Sequence, residues 1–316
     1  RMDICLCDIS AIEAMRSSGM LLPELLGRPR SSQLEGCGVP GGVELEDLLA
    51  GTGVRTSPVH LMVANGGSTY GRPGVVRHRR ARALPRGSLV RVGRGVLAAG
   101  PELALCQVAA RDDHGLVDVA QLAYELCGTY LLDQDPNSWK GFVNNDVSAT
   151  TVRRIESVAR ALKGERGIKT VNEALPFVVD GAHSPMETTL AMLLALPRRV
   201  GGLGIGGIAM NHEVKSIGRK IDAAFPKKKV GLEYKGKLYH TIEQSGRDDR
   251  RQNEIVGRGW TILNVWYEDL VDDLLFQRLV SSLLQALEIR VRPAETFWAK
   301  QRLLRSCLVP GLKRLG

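Results

Sequence analysis

Residues 230–235 alternate apolar with small or polar side chains, the two-residue period of a strand whose alternate positions share a face. The same reading extends to 211–216 and 219–225, so three strands are expected as a meander, with a turn at 226–229 joining the last two. Upstream, 59–64, 74–79, 88–92 and 95–98 form short apolar runs divided by glycine-bearing turns and predict a small sheet. Helical spacing appears at 8–17, 43–50, 103–110 and 117–126, the last leading into Gly128 as a stop. Ser148 is the expected cap of a helix over 149–163, and 168–178 is a further short helix interrupted by Pro176. Beyond the meander, 243–258 is polar with an apolar end at Ile255 and Val256. Residues 260–265 form a buried strand, and 267–287 an amphipathic helix.

This order gives an α/β protein. An α+β domain occupies 1–135, a helical linker 136–182, an α-β-β-β-α-β-α domain 183–290 and a basic tail 291–316. At 316 residues the chain is long enough for two cores. Its 44% hydrophobic and 24% charged content is that of an ordinary globular protein, and it holds no apolar run of membrane-spanning length. The first residues lack the pattern of a signal peptide, which favours a cytoplasmic setting. Six scattered cysteines form no CxxC pair, so reduced, partly buried thiols are expected rather than zinc ligands.

Charge separates the two halves. Residues 1–180 carry 21 Lys/Arg against 20 Asp/Glu, whereas 181–316 carry 22 against 14. The excess favours a polyanionic partner, with a solvated basic surface as the alternative. Within this half, Glu233 and Lys235 sit two apart on one predicted strand, and antiparallel pairing brings Asp222 beside Glu233. Two carboxylates beside a lysine make a site for a hard cation, Mg2+ or Mn2+, which takes oxygen ligands and a substrate phosphate. The alternative is an exposed hairpin face with compensating charges. Ser184, Pro185 and Glu187 form a capping box before the apolar helix at 188–196, which accounts for Glu187 structurally. The run of glycines from Gly201 to Gly207 lacks the strand before and helix after it that a dinucleotide site needs, and is expected to be a flexible loop.

Asp222, Glu233 and Lys235, with the continuation through Tyr234, Gly236 and His240, Arg247 to Arg251 and Gly259 to Val265, resemble the PD-(D/E)XK nuclease superfamily, specifically its Vsr-like branch. The resemblance covers roughly 183–275. Many Vsr-like relatives carry Asp-Gly where this chain has Lys235-Gly236. The resemblance implies a restriction-endonuclease-like fold and a DNA endonuclease in which Asp222 and Glu233 bind the metal. Lys235 then positions water, and Glu187 and His240 assist. Lys237, Gln244, Arg247, Arg250 and Arg251 become candidate DNA contacts, although the arginines have Asp248, Asp249 and Glu254 nearby as alternative partners.

The order of elements over 10–135 resembles AbiEi-type regulators, implying a bacterial defence or toxin–antitoxin context, with a homodimer or a defence-system protein as partner. The competing function is a DNA-binding regulator or antitoxin-like protein built on an inactive nuclease fold.

Overall fold

The computed structural model describes residues 2–65, 72–236, 252–290 and 294–309. Helices and strands alternate through it, giving an α/β protein in two units, Arg1–Pro176 and Phe177–Gly316. The first is organised by β1 (Ile4–Leu6), three residues with no exposed surface. Full burial of Ile4 and Leu6 stabilises by about 1.5–3 kcal/mol each. With β2 (Arg30–Ser31), β3 (Val59–Ala64), β4 (Val75–Arg80), β5 (Leu89–Gly93) and β6 (Val96–Ala99) it makes a sheet in the order β2-β5-β6-β1-β3-β4. β1 runs parallel to β6, with Ile4 opposite Val96, and antiparallel to β3, with Leu6 opposite Leu61.

Helix α1 (Asp8–Ser17) leaves β1 after one residue and packs on β3. Two short helices follow, α2 (Leu22–Gly27) and α3 (Gly42–Leu49), and after the sheet come α4 (Pro101–Val108) and α5 (Leu116–Cys127). The antiparallel pair β7 (Tyr130–Leu132) and β8 (Phe142–Asn144) leads to α6 (Val152–Ala161) and α7 (Ile168–Ala174). α6 packs on α4 and α7 on α5, so the stretch read as a bridge from 136 contributes both helices to the first unit. The cap of α6 is Thr151 rather than Ser148: its side chain accepts from Arg154 N at 3.3 Å. The basic run at 77–82 lies on β4, an edge strand, where Arg80 is locked to Glu165 by two hydrogen bonds, one of them 2.8 Å long.

In the second unit α8 (Pro185–Ala195) is buried along most of its length, as expected of a helix apolar all round. A four-stranded sheet follows, ordered β12-β11-β10-β9, from β9 (Ala209–Val214), β10 (Arg219–Phe225), β11 (Val230–Lys235) and β12 (Thr261–Trp266). β9, β10 and β11 form the antiparallel meander; β12 returns parallel to β11 after a helical segment at 252–256. Ile255 from that segment joins Val214, Ile221, Ala224 and Trp260 in a core cluster.

The helix expected over 267–287 is two, α9 (Tyr267–Val271) and α10 (Asp273–Ala286), because Asp272 caps the second by accepting from Leu274 N and Leu275 N, both at 2.9 Å. The basic tail contributes α11 (Glu295–Leu308), which buries Phe297, Gln301, Leu304, Arg305 and Leu308 at helical spacing. Arg305 is committed to the interior, donating to Leu270 O at 3.0 Å, Gln301 Oε1 at 2.8 Å and Asp273. No helix among the described residues is long and apolar enough to cross a membrane.

The glycine run is a packed joint, which corrects the expectation of a flexible loop. Leu203 N, Gly204 N and Ile205 N donate to Leu193 O, Leu196 O and Leu194 O, each at 2.9 Å, satisfying carbonyls at the C-terminus of α8 that have no intrahelical partner. A Cβ on Gly202 would stand 2.0 Å from Leu196 O, and one on Gly201 2.4 Å from Lys300 O. Backbone approach at these two positions therefore dictates glycine.

Candidate functional site

The turn at 226–229 closes through Lys228 N donating to Phe225 O at 3.0 Å, and fixes the register of β10 against β11. Ala223 pairs with Leu232, which sets Asp222 and Glu233 across from each other at the next position. There the two strands stop pairing. Asp222 Oδ2 accepts from Tyr234 N at 2.9 Å, so a carboxylate takes the amide at the end of the ladder, while β11 runs on beside β12 to Lys235. The carboxylate of Asp222 is thereby held one residue from Glu233.

Glu233 is 5% exposed, yet one of its oxygens is without a partner. Lys235 Nζ donates to Oε2 at 2.8 Å, as two residues on one face of a strand allow; Oε1 is buried with no hydrogen-bond partner among the described residues. A buried acceptor left open is rare and requires a water or an ion to explain it. Tyr234 points the other way, toward Tyr267 and Glu268; burial, with those two groups, pushes its phenol up. The carboxylate pair at the end of the β10–β11 ladder and the open Oε1 fit a divalent cation with oxygen ligands.

Glu187 is occupied by the helix terminus. Ser184 Oγ accepts from Glu187 N at 3.2 Å, while the carboxylate accepts from Ser184 Oγ at 3.0 Å, His183 N at 2.8 Å and Asn211 Nδ2 at 2.7 Å. Burial pushes its carboxyl up, and these three hydrogen bonds pull the other way. Asn211, on β9, adopts a left-handed φ of 47° and also donates to Gly181 O at 2.9 Å, so one side chain ties the approach to α8 onto the sheet. Asn211→Ala is expected to cost about 2–3 kcal/mol, since it strands a buried carboxylate and a carbonyl and leaves alanine in a disfavoured backbone region. A denaturant midpoint unchanged from wild type would show that the tie contributes nothing.

His183 was missed by sequence reasoning. Burial and the nearby charge of Lys220 lower its pKa, and Asp222 opposes them, so a neutral imidazole stands within electrostatic reach of Asp222. Its position one residue before the cap of α8 is the only sequence signal it leaves. His240, Lys237, Gln244, Arg247, Arg250 and Arg251 lie outside the described residues.

A second cluster, in the first unit, also escaped the sequence reading: Asp8, His60 and His78, with one ligand atom from each within 4.8 Å of the others. The residues are separated by up to 70 positions, and no local motif links them. No family model, no curated protein and no solved structure matches the chain.

Proposed function

We propose that the second unit is a metal-dependent nuclease acting on DNA phosphodiesters, of the PD-(D/E)XK type and close to its Vsr-like branch. The observation that carries this reading is the register that sets Asp222 across from Glu233, where Glu233 Oε1 is buried without a partner. The element order from α8 through β9, β10, β11, the helical segment, β12 and α9 is in keeping with the α-β-β-β-α-β-α plan. The surplus of Lys and Arg in this half suits a polyanionic substrate.

Asp222 and Glu233 are the residues that would hold Mg2+ or Mn2+. When bound, such a cation supplies Lewis-acid polarisation of a phosphoryl oxygen and a water of lowered pKa. Lys235 is held against Glu233 by their 2.8 Å contact, which orients its ammonium to stabilise charge developing on the phosphoryl oxygens and to position the attacking water. His183, neutral beside Asp222, is suited to accept a proton. Glu187 acts as a positioning residue, fixing the start of α8 and, through Asn211, its place on the sheet. The AbiEi-like order of the first unit supports a role in bacterial defence or a toxin–antitoxin system, where a homodimer or a second defence protein is the expected partner.

The test is incubation of the purified chain with supercoiled plasmid and with linear single- and double-stranded DNA, in Mg2+, Mn2+ or chelator. Nicked or linear products that require the metal are expected. Salt-sensitive DNA retention with no cleavage in either metal would overturn the nuclease reading in favour of a regulator on an inactive fold.

A further inference from the structure

The first unit carries a constellation that the nuclease reading does not use. Asp8 is the first residue of α1, directly beyond β1, and His60 and His78 lie on the adjacent strands β3 and β4. The parallel register pairs Met62 with His78, which puts His60 diagonally across from His78 on one face, within reach of two imidazoles. Pairing of β1 with β3 then brings Asp8 to the same place. Sheet order alone, β1-β3-β4, assembles the three residues in a row.

The contacts are close and the setting is largely dry. His60 Nδ1 is 2.8 Å from His78 Nε2, and the rings stack with centroids 5.0 Å apart. Asp8 Oδ2 lies 3.8 Å from His60 Nδ1; its other oxygen accepts from Ile9 N at 2.6 Å and faces Arg111 Nη1 at 3.4 Å. Asp8 is 2% exposed and His60 9%. Asp8 also holds a left-handed φ of 52°, a conformation costing about 1–3 kcal/mol for a residue with a Cβ, and such strain gathers where a side chain must be aimed. The cluster opens onto a cavity of about 560 Å³ walled further by Gln107, Arg111 and Arg166.

We propose that Asp8, His60 and His78 form a binding site for a divalent transition-metal ion of the zinc class, with its remaining coordination position facing the cavity. Two imidazole nitrogens and one carboxylate oxygen are the donor set such ions prefer, whereas Mg2+ and Ca2+ favour oxygen alone. Burial lowers the pKa of both histidines, so each offers a lone pair at neutral pH without first losing a proton. The geometry needs only a small adjustment. Two nitrogens on one tetrahedral ion at about 2.0–2.1 Å stand about 3.3 Å apart, so the rings open by roughly half an ångström as the metal replaces the proton they share. Arg111 beside Asp8 places a cation next to the incoming cation and holds the affinity below that of a closed structural zinc site. Thiols do not compete nearby: burial pushes Cys106 up to about 12 and Cys37 up to about 11, which keeps both protonated.

The test is titration of chelator-stripped full-length protein with Co2+, read by its visible absorption, and with Zn2+, read by equilibrium dialysis and thermal shift. One equivalent of Co2+ displaced by Zn2+ is expected, with a rise in melting temperature from binding to the folded state. His78→Gln and Asp8→Asn should each weaken Zn2+ binding at least 10-fold; asparagine tolerates the left-handed backbone at position 8. Glu233→Ala should leave Co2+ and Zn2+ binding at this site unchanged, which separates it from the centre in the second unit. Unaltered binding in both variants, a thiolate-to-cobalt charge-transfer band, or no binding by the wild type would overturn the proposal and leave the two histidines as a hydrogen-bonded structural pair.

Discussion

Glu233→Ala is expected to lower metal-dependent DNA cleavage at least about 100-fold while the protein remains folded. The side chain is the point at which the cation and the lysine meet: Oε1 is the open buried acceptor, and Oε2 holds Lys235 Nζ at 2.8 Å. Removing it takes away a metal ligand and leaves the ammonium without its anchor, and losing one preorganised charge-stabilising contact alone commonly costs 10²–10³ in rate. The effect on folding is smaller because two changes oppose each other. A buried carboxylate with an unsatisfied oxygen no longer has to be desolvated, while Lys235, with 15% of its side chain exposed, loses a partner but can turn toward solvent. Glu233→Gln keeps the volume and separates the two effects: it should be nearly as inactive as the alanine variant and equally well folded. Product formation at the wild-type rate by Glu233→Ala, after purification under denaturing wash and refolding to exclude a contaminating nuclease, would remove Glu233 from the mechanism. Lys235→Met provides an independent reading, with cleavage depressed but metal binding retained.

Gly201→Ala is expected to destabilise the second unit by about 3–5 kcal/mol, the largest stability effect of the substitutions considered. The residue has φ +98°, so any side chain strains the backbone, and its Cβ would stand 2.4 Å from Lys300 O and 2.7 Å from Lys300 C. These are main-chain atoms in the middle of α11, so relief requires the helix to move, and that helix buries Phe297, Leu304, Arg305 and Leu308. Strain of about 1–3 kcal/mol and overpacking of about 1–3 kcal/mol act together. The melting temperature should fall by about 10 °C in a unit of this size. Gly206→Ala is the matched control, because its φ lies outside the left-handed range and no atom comes within 4 Å of its added Cβ. Equal melting temperatures for the two variants would show that the close approach of α11 to the loop is not maintained in solution.

The contrast between these two glycines shows where sequence reading stops. Both sit in one glycine-rich run, and composition marks them alike. Only the arrival of α11 and the C-terminus of α8 against Gly201 and Gly202 makes one half of the run obligatory while Gly206 has open space around it. A similar limit applies to β1. Three apolar residues are too few to show a period, yet Ile4–Leu6 occupies the middle of a six-stranded sheet.

What the sequence by itself determined was local. The alternation and turn of β10 and β11 set Asp222 across from Glu233, the Ser184–Glu187 box set the start of α8, and the spacing of Phe297, Leu304 and Leu308 set the buried face of α11. In each case the deciding interaction joins residues a few positions apart, or joins two strands through a four-residue turn, so the pattern and the structure carry the same information. Tertiary structure decided the rest: the boundary after Pro176, the neutral His183 beside Asp222, and the meeting of Asp8, His60 and His78. Those depend on sheet order and on which surfaces bury one another, properties of contacts between distant segments that no window of sequence contains.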